Sequence, residues 1–304
     1  MSTKVAFLGP EGTYTHQAAL QQFGTKAQTL PQASIGACFD MLNKKEVDYA
    51  VVPFENSTNG QVVFTFDLLR DWFLSADAEP SFRIVAEQFV SIHHYLLSNA
   101  SDLSKVTRVY SHPQVWGQVN KFFKSALLPS DVTRIDTSST AQAAEMVAAD
   151  TENTSACISS KASADLYGLP ICAAEIEDIK GNTTRFLVLG HEKIASSDED
   201  NENDKPKAPG NEQVSLTSVM FVLNHDDPGA LCSALDSFKH NKVNLTSIAS
   251  RPSGQTRWQY VFFIEAEGDI ESTPMQHSVD SLKQSCETVV VLGSFLRSWR
   301  YWKS

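Results

Sequence analysis

The sequence predicts an α/β protein with a two-lobed first domain and a smaller α+β second domain. Through residue 194, short strand-like runs alternate with helical patterns, which is typical of α/β layering with crossover connections. Residues 195–213 contain no aromatic or β-branched residue and cannot bury enough apolar surface to order themselves, so we interpret them as a flexible acidic linker. After the linker the elements follow the split β-α-β-β-α-β order of ferredoxin-like folds.

The first domain, residues 1–194, is predicted to return onto its own first sheet. Helical patterns begin near residues 14, 35, 62, 115 and 141, between strand-like runs at 5–8, 49–54, 89–97, 107–111 and 155–159. The late run RFLVL (185–189) would rejoin an earlier sheet. This gives one lobe of about 1–88 with 177–194, a second of about 89–176, and a cleft between them that suits a ligand.

The second domain, residues 214–304, contains four strand-like runs and two helical patterns. The strands are predicted at 216–223, 245–250, 257–266 and 288–295, with helices at 229–241 and 275–286.

Composition excludes several classes of function. The 304 residues carry a formal net charge of -11, which argues against a general nucleic-acid binder but allows a small anionic substrate. No run approaches the ~18 apolar residues of a membrane span. The five cysteines are scattered and form no CxxC pair, so neither a disulfide framework nor a zinc site is indicated. We expect a cytoplasmic protein without a membrane partner.

The first candidate motif is GPEGTYTHQAA (9–19), between a strand and a helix. Thr13 can cap that helix, whose free N–H groups would attract a carboxylate or phosphate. A plain strand-to-helix turn explains the spacing equally well.

The second motif is VVPFENSTNGQ (51–61), where an apolar strand ends in a polar cluster. Thr58 and Gln61 have the spacing of a capping box for the next helix. Glu55 and Asn56 remain, just beyond the carboxyl end of a strand, where α/β sheets place ligand groups.

The third motif is YSHPQVWGQ (110–118). Ser111 and Gln114 also have capping-box spacing, so a helix cap competes with a ligand role for Ser111. Gln118 lies nearly two turns further on, about 10 Å along the axis, and only its long side chain could reach the same ligand.

The fourth motif is GNTTRFLVLG (181–190). If residues 183–189 are extended, Thr184, Phe186 and Val188 face one way, while the alternate residues face the other. Thr184 and Arg185 can then share a ligand only if the strand begins after them. A strand-starting hydroxyl and a structural ion pair are the alternatives.

Other familiar chemistries lack their signatures. The chain has no GxSxG elbow, HExxH helix or DxDxDG calcium loop. His93 and His94 lie in an apolar run, which favours packing over metal binding. The motifs therefore predict a site of hydroxyls, amides and one carboxylate, with no metal and no cofactor.

Taken together, the motifs resemble prephenate dehydratases. The resemblance rests on GPEGTYTHQAA, VVPFENSTNG, YSHPQ and TRFLVLG in that order, followed by a second domain similar to an ACT regulatory domain. It implies a fold like type II periplasmic binding proteins, with prephenate bound in the cleft. There prephenate would be converted to phenylpyruvate with loss of water and carbon dioxide.

The resemblance also implies roles for individual residues. Glu55, Asn56, Ser111, Gln118 and Thr184 would line the site, with Thr184 acting on the departing hydroxyl. Among these five residues, Glu55 is the only carboxyl that could supply a proton. Thr13 and Arg185 are our candidates for holding the substrate dianion.

The second domain's likeness implies regulation by phenylalanine at an interface of a homodimer or homotetramer. PGAL (228–231) and LTSIASRP (245–252) match the two effector motifs, with Ala249 where the family commonly has glutamate. The implied effector residues are Gly229, Ala230, Leu231, Ser250, Arg251 and Pro252.

Two other functions fit the sequence. A non-enzymatic carboxylate sensor would share the fold, but it would not require Thr184 together with Glu55 and Asn56. Arogenate dehydratase would use the same mechanism on a substrate with an amino acid side chain, and the sequence does not separate it from prephenate dehydratase.

Overall fold

The computed structural model describes residues 2–74, 79–194, 214–223 and 228–303. The segment 195–213, predicted to be a linker, lies outside the described residues. The described strands form three sheets of six, five and four strands, which build the predicted two lobes and the second domain. No described helix is long and apolar enough to cross a membrane.

The first lobe is built on a mixed sheet of order β2-β1-β3-β11-β5. Its strands β1 to β3 are parallel, whereas the late strand β11 is antiparallel to β3 and β5. The strands are β1 (Lys4–Leu8), β2 (Gln28–Gln32), β3 (Tyr49–Asn56), β5 (Arg83–Ser91) and β11 (Thr183–Gly190), with the short β4 (Gly60–Gln61) beside β3. The helices are α1 (Tyr14–Phe23), α2 (Ile35–Asn43) and α3 (Val63–Phe73).

The second lobe has the strand order β10-β6-β9-β7-β8. The strands are β6 (Tyr95–Leu97), β7 (Arg108–Ser111), β8 (Thr133–Asp136), β9 (Ser155–Ser159) and β10 (Ile171–Ala173). The helices are α4 (Pro113–Trp116), α5 (Asn120–Phe123), α6 (Thr140–Ala148) and α7 (Lys161–Tyr167), and a 3-10 turn spans Leu103–Lys105. The chain crosses between the lobes at 92–94 and at 174–182.

The C-terminal domain is an antiparallel sheet of order β13-β14-β12-β15 with two helices, as the sequence predicted. The elements are β12 (Ser215–Leu223), α8 (Ala230–His240), β13 (Leu245–Pro252), β14 (Tyr260–Glu267), α9 (Thr273–Ser285) and β15 (Cys286–Leu296), with a 3-10 turn at Trp299–Lys303. One face of the sheet packs on α8 and α9 through a core that includes Phe221 and Phe238.

The other face of the C-terminal sheet packs against the first lobe. Leu216, Met220 and Phe263 share one buried core with Phe66 and Ile84 of that lobe. The rings of Phe66 and Phe263 meet edge-to-face with centroids 5.2 Å apart. At Gly293 a Cβ would overlap the carbonyl group of Ile84, so β15 lies directly on β5. The first lobe and the C-terminal domain therefore pack as one unit.

Three local predictions are wrong. Residues 89–97 do not form one strand, because β5 ends at Ser91 and the chain passes to the second lobe before β6. Helix α3 has no side-chain cap, since Gly60–Gln61 pairs with β3 instead of opening the helix. The cap of α4 is His112, whose side chain accepts the N–H of Gln114, and not Ser111. Thr13 does cap α1, accepting the N–H of His16.

Candidate active site

Strands β3 and β11 bring Asn56 and Thr184 together. The two residues are register partners in the antiparallel pair. The Asn56 Nδ2 group donates to Thr184 Oγ1 at 2.9 Å. Thr184 is partly exposed, whereas the strand beyond it is buried. The polar end of an otherwise apolar strand is therefore where the predicted threonine meets the predicted asparagine.

The orientation of the Asn56 amide is set by the turn that follows it. Asn56 Oδ1 accepts the backbone N–H groups of Thr58 at 3.0 Å and Asn59 at 2.9 Å. Backbone N–H groups can only donate, so Nδ2 must be the group that faces Thr184. Thr184 Oγ1 is then an acceptor in this pair, and among the described residues nothing accepts its own O–H proton, which can therefore be donated to a ligand.

Asn182 extends this pair toward the second lobe. Its Oδ1 accepts from Asn56 Nδ2 at 2.8 Å, and its Nδ2 donates to Gln118 Oε1 at 3.3 Å. Sequence reasoning assigned no role to Asn182 and missed this contact. Asn182 lies two residues before Thr184, in a polar stretch that opens a buried strand, and this position is the signal that could have identified it.

His94 completes the chain of hydrogen bonds. Its Nε2 lies 2.8 Å from Gln118 Oε1, and its side chain is buried. Burial lowers the pKa of His94, so the ring is neutral at pH 7. The sequence predicted packing for His94, and the structure adds a direct contact with Gln118.

Glu177 fixes the crossover that carries both histidines. Its carboxylate accepts the backbone N–H of His94 at 3.0 Å and lies 2.9 Å from His93 Nδ1. Burial alone would raise the pKa of Glu177, but these hydrogen bonds hold it below its ordinary value. His93, Glu175 and Glu177 offer ligand atoms within 4.8 Å of one another. Both Glu177 oxygens are already engaged, so the trio is explained as part of the crossover.

The structure does not bring the predicted site residues Ser111, Glu55 and Thr13 into hydrogen-bond contact with the pair of Asn56 and Thr184. Ser111 is fully buried, and its hydroxyl donates to the carbonyl of Ile158 within the second lobe. Glu55 is partly buried next to Asn56, and within the described chain its carboxylate makes no hydrogen bond or ion pair. Thr13 uses its hydroxyl within the α1 turn, donating to the carbonyl of Pro10 at 2.9 Å. Only the helix N–H groups there could bind an anion.

Arg185 does not face the site, which corrects its assignment as a substrate-binding residue. Phe186 and Val188 pack on one face of β11, and Leu187 and Leu189 pack on the other, so the predicted alternation is confirmed. Since β11 begins at Thr183, Arg185 and Thr184 point to opposite faces. Arg185 thus faces the C-terminal domain, and the ion-pair alternative is supported.

The ion pairs of Arg185 join the first lobe to the C-terminal domain. Its Nε donates to Glu87 at 2.7 Å, and its two Nη groups donate to Glu265 of β14 at 2.6 and 2.7 Å. Glu87 also accepts from Arg297 at 3.4 Å. Burial alone would lower the pKa of Arg185, but the two carboxylates raise it.

The lobes also touch beside helix α1. Ser160 and Ser163, at the start of α7, each donate to the carbonyl of Gly12 at 3.2 Å. The hydroxyl of Tyr14 donates to the carbonyl of His93 at 2.8 Å. The turn that precedes α1 thus lies at the boundary between the lobes.

The predicted effector residues fall in two places. Gly229, Ala230 and Leu231 lie at the start of α8, where Gly229 takes a positive φ of 91°. Arg251, near the end of β13, makes two hydrogen bonds to Asp67 of α3, and Arg70 donates to the carbonyl of Pro252 at 2.8 Å. Ser250 is exposed, and Ala249 is buried in the core shared with the first lobe. Among the described residues no hydrogen bond joins the two groups.

Comparison with known proteins identifies the family of this site. The family model described as prephenate dehydratase matches residues 5–194. The chain belongs to the prephenate dehydratase family. It is 39% identical to a probable prephenate dehydratase from Saccharomyces cerevisiae, over 98% of each chain. Its dehydratase lobes and C-terminal domain thus have their counterparts along nearly the whole of that relative.

Solved structures with the same arrangement include a prephenate dehydratase from Arthrobacter aurescens in complex with L-Phe. That structure has a TM-score of 0.79 and 28% identity, covering 96% of this chain and 90% of the other. A structure described as a novel type of quorum quenching acylase also has a TM-score of 0.79, with 27% identity and 99% of each chain covered. The two-lobed dehydratase fold with a ferredoxin-like domain is therefore confirmed.

Proposed function

We propose that this dehydratase acts on prephenate in the cleft between its lobes, with Thr184 donating a hydrogen bond to the hydroxyl that leaves. The observation that carries the proposal is the contact from Asn56 Nδ2 to Thr184 Oγ1. Because the threonine oxygen accepts that bond, its own proton is available for the leaving oxygen.

The reaction needs little from the protein besides orientation and charge stabilisation. The bond between the ring and its carboxylate breaks, carbon dioxide departs, and the electron pair moves through the ring to expel the hydroxide as the ring becomes aromatic. The hydroxide then takes a proton and leaves as water. A donor placed where charge develops on the departing oxygen stabilises the transition state more than the ground state.

The proton is proposed to come from Glu55. Its carboxyl group is partly buried and is not bonded to any described residue. Glu55 is the register partner of Arg185 and not of Thr184, so its proton would have to reach the leaving oxygen around the end of β3. If it supplies the proton, Glu55→Gln should lower kcat at saturating prephenate by about a hundredfold, the usual scale of general acid catalysis. Full turnover in that variant would remove Glu55 from the mechanism.

With Arg185 assigned to the domain interface, other groups must hold the substrate dianion. The N–H groups in the first turn of α1, capped by Thr13, form a site that favours negative charge. The amide of Gln118 adds a further donor. Ser111 is proposed to act on the substrate only through its packing in the second lobe, since its hydroxyl already donates to Ile158.

The central test is Thr184→Val. Removing one oriented donor to developing charge should lower kcat by roughly a hundredfold or more, with a smaller change in KM. Turnover is followed by the ultraviolet absorbance of phenylpyruvate formed from prephenate. Thr217→Val, which removes a buried hydroxyl from the C-terminal domain, is the matched control and should keep kcat. A change confined to KM would mean that Thr184 only binds.

We also propose that the C-terminal domain is an ACT domain that binds phenylalanine and regulates turnover. The relative from Arthrobacter aurescens was solved with L-Phe. Arg251 and Pro252 contact α3 of the first lobe, so a ligand there would act directly on the dehydratase lobes. Coupling must be reciprocal, so phenylalanine affinity should change when prephenate is present. If calorimetric titrations gave the same phenylalanine affinity with and without prephenate, this regulation would be excluded.

The acylase description of one structural neighbour suggests a second chemistry, amide hydrolysis. That reaction would need a nucleophile beside a base able to take its proton. The partner of Thr184 Oγ1 is an amide NH2 group, which is a donor and not a base. The geometry therefore favours dehydration. Arogenate remains the nearer alternative substrate, and turnover of prephenate against arogenate distinguishes the two.

A further inference from the structure

We propose that His94 and Asn182 are positioning residues, which orient the Gln118 amide so that its NH2 group faces the substrate. The inference rests on the proposed function, because it concerns the same cleft. It adds two residues to those that the family resemblance assigns.

The orientation of each amide follows from the one before it. The backbone N–H groups of Thr58 and Asn59 require an acceptor, which makes Asn56 Nδ2 the donor toward Asn182. Asn182 must then accept through Oδ1, so its Nδ2 is the group that meets Gln118 at 3.3 Å. Gln118 in turn must accept through Oε1. Two backbone groups in the first lobe thereby set the direction of an amide in the second.

His94 fixes the same oxygen from the other side. Its Nε2 lies 2.8 Å from Gln118 Oε1, which can only accept, so the ring proton resides on Nε2. His94 Nδ1 is buried and has no partner among the described residues. A proton there would be desolvated and unpaired, which favours the neutral Nε2–H form. Glu177 holds the ring in place by accepting the backbone N–H of His94.

Because His94 Nε2 and Asn182 Nδ2 both donate to Gln118 Oε1, neither of them binds the Gln118 NH2 group. It has no hydrogen-bond partner in the described chain, yet it is not among the buried unsatisfied atoms. Gln118 is itself partly exposed at the boundary between the lobes. A donor with two protons is therefore offered to the cleft, where the substrate carries two carboxylates.

The first experiment removes the donor of His94. His94→Phe should raise the KM for prephenate by about tenfold, the scale of one lost hydrogen bond, with a smaller change in kcat. His94→Gln keeps an NH2 group at the position of Nε2 and should restore most of the affinity. His191→Phe is the control, because His191 bonds the Leu42 carbonyl outside this network, and it should leave KM unchanged.

A double-mutant cycle separates positioning from a general structural role. Gln118→Leu should raise KM about as much as His94→Phe, and the two together should do no more, since His94 acts only through Gln118. Asn182→Asp, which replaces the Nδ2 donor by an oxygen, should behave in the same way. Effects on KM that multiply in the double variants would overturn the proposal.

The tautomer of His94 gives a readout that does not depend on turnover. Heteronuclear NMR of ring-labelled wild-type protein at pH 7 should show neutral His94 protonated on Nε2. A proton on Nδ1, or a charged ring, would refute the inference even in an active enzyme. Conversely, absence of prephenate turnover by wild-type protein would remove the proposed function, whatever the tautomer.

Discussion

The first lobe has two boundaries, and they are built from different chemistry. Toward the second lobe it presents amides and backbone carbonyls, as in the contacts of Asn182 with Gln118 and of the Gly12 carbonyl with the Ser163 hydroxyl. Toward the C-terminal domain it presents a large apolar core and the buried ion pairs of Arg185. Apolar burial resists separation, whereas polar contacts can be replaced by hydrogen bonds to water when two surfaces part. The difference indicates that the cleft opens between the lobes while the C-terminal domain stays with the first lobe.

Strand β11 belongs to both boundaries. Thr184 faces the cleft and Arg185 faces the C-terminal domain, because successive side chains of a strand point to opposite faces. A shift of the C-terminal domain that pulled on Arg185 would move the backbone that carries Thr184. The two boundaries are thus connected by one peptide unit.

The largest expected effect comes from breaking the interdomain ion pairs. Arg185→Met would leave the buried carboxylate of Glu265 unpaired, at a cost of about 3–5 kcal/mol in the free energy of unfolding. Urea unfolding monitors the loss. Lys283→Met, which removes an exposed ion pair with Asp280, should cost less than about 1 kcal/mol.

A second variant tests the cause of that loss. Arg185→Met combined with Glu265→Gln removes one charge of each sign, so Glu87 keeps Arg297 and no carboxylate is left unpaired. We expect it to be more stable than Arg185→Met alone. If the double variant is equally unstable, the lost packing of the arginine side chain, and not its charge, would be the cause.

A smaller effect is expected at the boundary between the lobes. Ser163→Ala removes one of the two hydroxyls that donate to Gly12, which should cost about 1 kcal/mol. Ser237→Ala, which removes a buried hydroxyl from α8, is the matched control and should cost a similar amount. Only Ser163→Ala should change the KM for prephenate. An equal KM change in both variants would mean that the hydrogen bonds to the Gly12 carbonyl have no part in closing the cleft.

The smallest effect is expected from pH. Burial lowers the pKa of His94 below that of the unfolded chain, about 6.5, so the unfolded state binds more protons as the pH falls. The free energy of unfolding should therefore decrease from pH 7 to pH 5. The decrease should be smaller in His94→Gln, and not abolished, because burial also lowers the pKa of His16 and His112. An identical pH profile in wild type and His94→Gln would contradict this assignment.

Sequence reasoning predicted the parts of the site that depend on local order. Asn56 and Thr184 were found because each follows or opens an apolar strand, where α/β folds expose polar side chains. An ion pair was one of the alternatives for Arg185, but its partner was not found, since Glu265 lies 80 residues further along the chain. Asn182 and His94 were overlooked as functional residues because their partner, Gln118, is reached only when the two lobes meet.

By itself, the sequence determined the alternation of helices and strands, the two faces of β11, the cap of α1 and the family. These depend on side-chain periodicity and on neighbours a few residues away, which the linear order contains. Only the tertiary structure decided which face of β11 met the cleft, which carboxylates paired with Arg185, and which way each amide points. Those choices depend on contacts between distant segments, and such contacts exist only once the three sheets have packed.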